Sequence, residues 1–105
     1  MNLKKLLGLR IKELRTHCKM TQSQLAEQVS IDPKHQSCIE NGRNFPSSDL
    51  LDKYAVVFNM DICELLKLEH QQPRMFLEEK LHNIIANSSD EEFKTIYKLV
   101  TSLYE

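Results

Sequence analysis

Glycine and proline are scarce in this 105-residue chain, at two and three residues, and valine occurs 4 times against 15 leucines. So few chain breakers and β-branched residues exclude a sheet-rich design and favour helices. With Gly8 and Gly42 the only glycines, no glycine-rich phosphate loop can be assembled. Cysteine is also sparse. Cys18, Cys38 and Cys63 are odd in number, too few for a disulfide framework and without a Cys-x-x-Cys pair, which fits a reducing compartment. Long apolar runs are missing. The longest are a few residues, as from Tyr54 to Phe58, against the about 20 a membrane helix needs, and no apolar stretch leads from Met1 to a small-residue cleavage site. These absences predict a cytoplasmic protein with no membrane partner.

The length excludes a two-domain enzyme yet suffices to bury roughly 60 to 70% of the unfolded surface. A formal net charge of −1 conceals an uneven distribution. Residues 1–43 hold 8 Lys and Arg against 4 Asp and Glu, whereas residues 44–105 hold 6 against 11. The pattern suggests one basic face on an acidic body.

Periodicity divides the chain into helices. Leu7, Ile11 and Leu14 mark an amphipathic first helix from Leu3 to about His17, with Arg10, Lys12, Glu13 and Arg15 between them. Thr21 and Gln24 form a capping box for a second helix that buries Leu25, Ala26 and Val29. Only Ser30 and Ile31 then separate it from Asp32-Pro33, a cap followed by the residue suited to the first helical position. A third helix from Pro33 to about Glu40 stops at Asn41-Gly42. Helices joined this tightly cannot lie antiparallel, so the pair reads as a helix-turn-helix. Ser47 or Ser48 caps a fourth helix carrying Leu51, Tyr54, Ala55 and Phe58, and Asp61 a short fifth with Ile62, Leu65 and Leu66. A polar stretch at 69–73 is the expected linker. Met75 to Ala86 and a helix capped at Ser88 or Ser89 follow. The expected organisation is all-α: a five-helix domain at 1–68, a linker at 69–73 and a two-helix segment at 74–105.

Residues 7–66 resemble the Cro and phage-repressor type of helix-turn-helix regulator, the XRE family. The resemblance is carried by Leu7-Gly8, Ile11 to Arg15, Thr21-Gln22, Leu25-Ala26, Ile39-Glu40-Asn41-Gly42, Pro46-Ser47 and the stretch from Leu51 to Leu65. It implies a transcriptional regulator whose third helix enters the DNA major groove. Carried over by position, Gln22, Asn41 and Arg43 become phosphate contacts with His35 beside them, and Pro33, Lys34, Ser37 and Cys38 face base edges. Arg15 and Glu40 are similar to a structural ion pair of that family. Two departures follow from the same alignment. Ser30 stands where the family prefers glycine, at a penalty of roughly 1 kcal/mol for left-handed geometry. Gln36 stands where the family buries an aliphatic residue, so its amide needs a partner or a route to solvent.

Other chemistries fit less well. His35 and Cys38 are three apart on one helix, but His17, Cys18, Cys63, His70 and His82 are scattered, so no metal or cofactor is expected. Oxidation of Cys38 could abolish a base contact; a small contact or filler residue is the preferred reading. The acidic runs at Glu78-Glu79 and Asp90 to Glu92 look like solvated or capping acids, and no enzyme constellation emerges. In the tail, Leu77, Leu81, Ile84 and Ile85 against Phe93, Ile96, Val100 and Leu103 fit either dimerisation, the favoured reading, or a hairpin completing the core. The expected function is a repressor that binds a palindromic operator in double-stranded DNA as a homodimer. The alternatives are an antitoxin whose C-terminal helices hold a protein partner, and a protein-interaction module on the same fold.

Overall fold

The structure, a computed structural model, describes residues 1–105. It is all-helical: α1 Leu3–His17, α2 Gln22–Gln28, α3 Pro33–Glu40, α4 Ser48–Val57, α5 Ile62–Leu65, α6 Arg74–Ala86 and α7 Asp90–Ser102, with a 3-10 turn at Glu69–Gln71. Two compact units result, Met1–Gln72 and Pro73–Glu105. Five helices precede two, as the periodicity predicts.

Side chains start nearly every helix. Thr21 and Gln24 make their reciprocal capping box, Asp32 accepts from the Lys34 amide ahead of α3, and Asp61 caps α5. Of the serine pairs, Ser47 accepts from Leu50 N at 3.2 Å to open α4, and Ser89 opens α7 in a box with Glu92. Ser88 instead donates to the Ile85 carbonyl.

The ends of α1 to α4 share one device. After α2, Ser30 N–H donates to the Glu27 carbonyl and Ile31 N–H to that of Ala26, the paired bonds of a Schellman motif, with Ser30 left-handed at φ 61°. The expected non-glycine turn is thus present. Lys19, Asn59 and Gly42 close α1, α4 and α3 in the same way.

The core of the first unit joins Leu7, Ile11 and Leu14 of α1 to Leu25 and Val29, Ile39, Leu50, Tyr54, Phe58 and Leu65. Each such side chain contributes about 1.5 to 3 kcal/mol by leaving water. Gly8 brings α1 and α3 together: a Cβ there would lie 2.4 Å from the Ile39 carbonyl oxygen. The mid-helix cost of glycine, about 1 kcal/mol, is smaller than the clash any side chain would create.

Two features differ from expectation. Arg10, grouped by its charge with the polar residues between the apolar positions of α1, is buried, and lying three residues from Leu7 and four from Leu14 it shares their face. Its Nη2 donates to the Glu64 carbonyl at 2.8 Å and its Nε to the Leu65 carbonyl at 3.1 Å, filling acceptors that the short α5 leaves open at its end. The segment 69–73 is folded through Gln72, because His70 Nε2 lies 2.8 Å from Glu13 Oε1 and holds the 3-10 turn to α1. In the second unit α6 and α7 are joined by Asn87 to Ser89, and neither helix has a buried residue.

Candidate nucleic-acid interface

The α2–α3 pair sets the site. The Schellman turn at Ser30 and the Asp32 cap reverse the chain within a few residues, and Leu25, Ala26 and Ile39 seal α3 against its neighbours. Gln36, Ile39 and Glu40 occupy the buried side of α3. On the other side Pro33, Lys34 and Asn41 are exposed, while His35, Ser37 and Cys38 are half-buried. The side chains expected at base edges therefore share the outward part of one helix. Arg43 is exposed in the following loop, whose backbone is held by Arg43 N–H donating to the Cys38 carbonyl at 2.9 Å. Asn41 Nδ2 reaches Ser37 Oγ at 3.5 Å, a weak contact that leaves its amide available.

Gln22 is half-buried, and its Nε2 donates to Glu40 Oε1 at 3.2 Å. One amide hydrogen is engaged within the protein and one is left for an outside acceptor. Glu40 is the hub of this region. Arg15 donates to it through Nε at 2.8 Å and Nη2 at 2.9 Å, a bidentate fork, and Gln36 Nε2 donates at 2.7 Å. Burial alone would raise the Glu40 carboxyl, but hydrogen bonds from Arg15, Gln36 and Gln22 and the Arg15 charge outweigh it and hold the group below the ordinary carboxylate range. Arg15 also donates to the Met20 carbonyl at 2.8 Å, tying the α1–α2 turn to the same cluster.

Gln36, the departure from the aliphatic pattern, does not escape to solvent. It is fully buried, and its Oε1 accepts from Tyr54 Oη at 2.5 Å while its amide serves Glu40. Periodicity marks Tyr54 only as an apolar member of α4; the one signal of a polar role is the need of Gln36 for a partner. Arg10 lies three residues from Leu7 and four from Leu14, so its spacing signals burial and only its charge argues against it.

No group of three or more His, Cys, Asp or Glu side chains is placed to hold a metal ion. No helix is long and apolar enough to cross a membrane.

A family model described as a helix-turn-helix domain matches residues 8–71. The chain belongs to that family. A curated relative, the ImmF control region 10 kDa protein of Bacillus phage phi105, is 34% identical over 67 residues, covering 64% of this chain and 74% of its own length. Among solved structures, the clp gene regulator ClgR from Corynebacterium glutamicum superposes with a TM-score of 0.67 at 23% identity, over 81% of this chain and 92% of that one. The restriction-modification controller protein C.AhdI from Aeromonas hydrophila gives 0.56 at 27% identity, over 59% and 94% of the two chains. The family, the fold and the tight α2–α3 turn agree in describing an XRE-type helix-turn-helix regulator.

Proposed function

We propose that this chain is a sequence-specific DNA-binding transcriptional regulator of the bacterial and phage-repressor type, acting by occupying an operator. The observation that carries the reading is the free outer side of α3: Lys34 is exposed there with no ion-pair partner, and Arg43 is exposed in the loop beyond. Gln22, His35, Asn41 and Arg43 contact phosphates and fix the register. Pro33, Lys34, Ser37 and Cys38 then meet base edges; Lys34 donates to guanine O6 or N7, and Cys38 offers a small apolar surface to a thymine methyl. Such a mechanism is binding, without a reaction step. The similarity to a phage control-region protein, a clp gene regulator and a restriction-modification controller protein supports the same class.

A single recognition helix reads only a few base pairs, so the regulator works as a two-fold dimer on a palindrome with half-sites about 34 Å apart. The unburied apolar side chains of α6 and α7, among them Leu81, Ile84, Phe93, Val100 and Leu103, favour residues 74–105 as the dimerising segment. Cytoplasmic location and repression complete the proposal.

Selection of bound duplexes from a random pool at stated salt tests it. The expected product is a palindrome whose affinity falls steeply with salt. Lys34→Ala lowers affinity by about 1 to 3 kcal/mol and relaxes preference at one base pair, while Gln22→Ala weakens all sequences alike. Unchanged preference in Lys34→Ala overturns the docking. Absence of any enriched duplex, with retention of a protein partner on α6–α7, moves the chain to the antitoxin or interaction-module reading.

A further inference from the structure

Gln36 and Tyr54 are both fully buried, yet each is polar at its functional end. Tyr54 Oη donates to Gln36 Oε1 at 2.5 Å, Gln36 Nε2 donates to Glu40 Oε2 at 2.7 Å, and Arg15 Nε donates to the same oxygen at 2.8 Å. An unbroken chain of side-chain hydrogen bonds thus runs through the interior from α4 across α3 to α1. No buried side-chain nitrogen or oxygen lacks a partner. Burial and the neighbouring Glu40 carboxylate push the Tyr54 phenol well above its ordinary value, so it remains a donor wherever the domain is folded.

An aliphatic pair at these positions would hold α3 with no polar atoms to desolvate. What the polar pair adds is direction. Apolar surfaces tolerate small slides and rotations, whereas a hydrogen bond weakens steeply as its angle departs from linear. Gln36 is two residues from both Lys34 and Cys38, and at 100° per residue this places it across the helix axis from them. Rotation of α3 by about 20° would carry its surface side chains roughly 2 Å, given a helix radius of about 5 to 6 Å with side chains. That displacement exceeds the tolerance of a base-edge hydrogen bond.

We infer that Gln36 and Tyr54 are positioning residues that set the rotation of α3 and thereby the base preference of the interface. The inference rests on the DNA-binding reading above.

Tyr54→Phe removes one oxygen and keeps the ring that stacks on Phe58 at 6.1 Å. Two measurements on the full chain are informative: the affinity ratio between the duplex selected by the native protein and a scrambled duplex of equal length, and amide hydrogen exchange in α3 relative to α2. The expected result is a roughly tenfold fall in the ratio, the equivalent of about one degraded base-pair contact, with binding to the scrambled duplex and its salt dependence unchanged. Exchange at Ile39, Glu40 and Asn41 should accelerate relative to α2. Gln36→Met, similar in length and unable to bond Tyr54, carries the same expectations if Tyr54→Phe does not fold. A lower melting temperature with ratio and relative exchange both unchanged overturns the inference, since that is the behaviour of mere filler. Native protein that binds both duplexes equally overturns the DNA-binding reading and the base-preference role with it; faster α3 exchange in the variant would then still support positioning, and unchanged exchange would refute it.

Discussion

Glu40 accepts hydrogen bonds from Arg15, Gln22 and Gln36, so three helices depend on one carboxylate. Its carboxyl lies below the ordinary value of 4.5, and so does that of Glu13, where burial is outweighed by His70 and Arg10. A carboxyl depressed in the folded state binds fewer protons there than in the unfolded chain, so the stability it contributes is fully present above about pH 5 and is lost as pH falls through 4.5 and below. Urea midpoints between pH 7 and pH 3 should decline along that limb. Glu40→Gln should flatten the limb and, by leaving Arg15 uncompensated, cost about 3 kcal/mol at neutrality. Equal acid limbs in the two proteins would contradict this account. At this scale legibility is mixed: the family resemblance marks Arg15, Glu40 and Gln36, whereas the charge of Arg10 masks a position that its spacing puts on the apolar face of α1. The carbonyls it meets belong to Glu64 and Leu65, far along the chain, and no local spacing encodes them.

The helix ends show how local chemistry is tolerated where it is imperfect. Four Schellman turns close α1 to α4, and only the one at Gly42 uses glycine. There a Cβ would also lie 2.7 Å from Lys5 Cγ, so packing demands the glycine that φ merely favours. Ser30 carries only the conformational penalty. Ser30→Gly should therefore stabilise the domain by up to about 1 kcal/mol, the relief of left-handed strain being partly offset by the greater freedom of glycine in the unfolded chain. A differential melt should register a rise of a few degrees, and a fall would mean that the serine hydroxyl has a role beyond the turn. The caps, the turn and the α2–α3 spacing were readable because each depends on neighbours in sequence.

The whole molecule poses a different question, because unit 73–105 buries no side chain. Exposed Leu81 and Ile84 of α6 and Phe93, Tyr97 and Val100 of α7, with Leu103 at its end, present apolar surface that the second copy of the proposed dimer would cover. Val100→Asp places a charge in that stripe, at a residue that is not a member of the core cluster of the first unit. Sedimentation should report a dimer for the native chain and a monomer for the variant. Operator affinity should fall by about 100-fold or more as the two half-sites lose their linkage, while the melting of the helix-turn-helix unit is unchanged. A native chain that sediments as a monomer would refute the dimer.

Composition, capping residues and apolar spacing were sufficient to specify helices, their order and the abrupt turn between α2 and α3, since these follow from interactions within a few residues. The resemblance to the family also marked Gln36 as out of place. Its answer, a bond to Tyr54 on another helix, came only with folding, as did the bonds of Arg10 to the carbonyls at the end of α5 and the docking of the 3-10 turn through His70 and Glu13. Those partners are chosen by which surfaces meet in three dimensions, and the hydrophobic packing that brings the surfaces together is non-directional, so no short stretch of sequence encodes which polar groups will face each other.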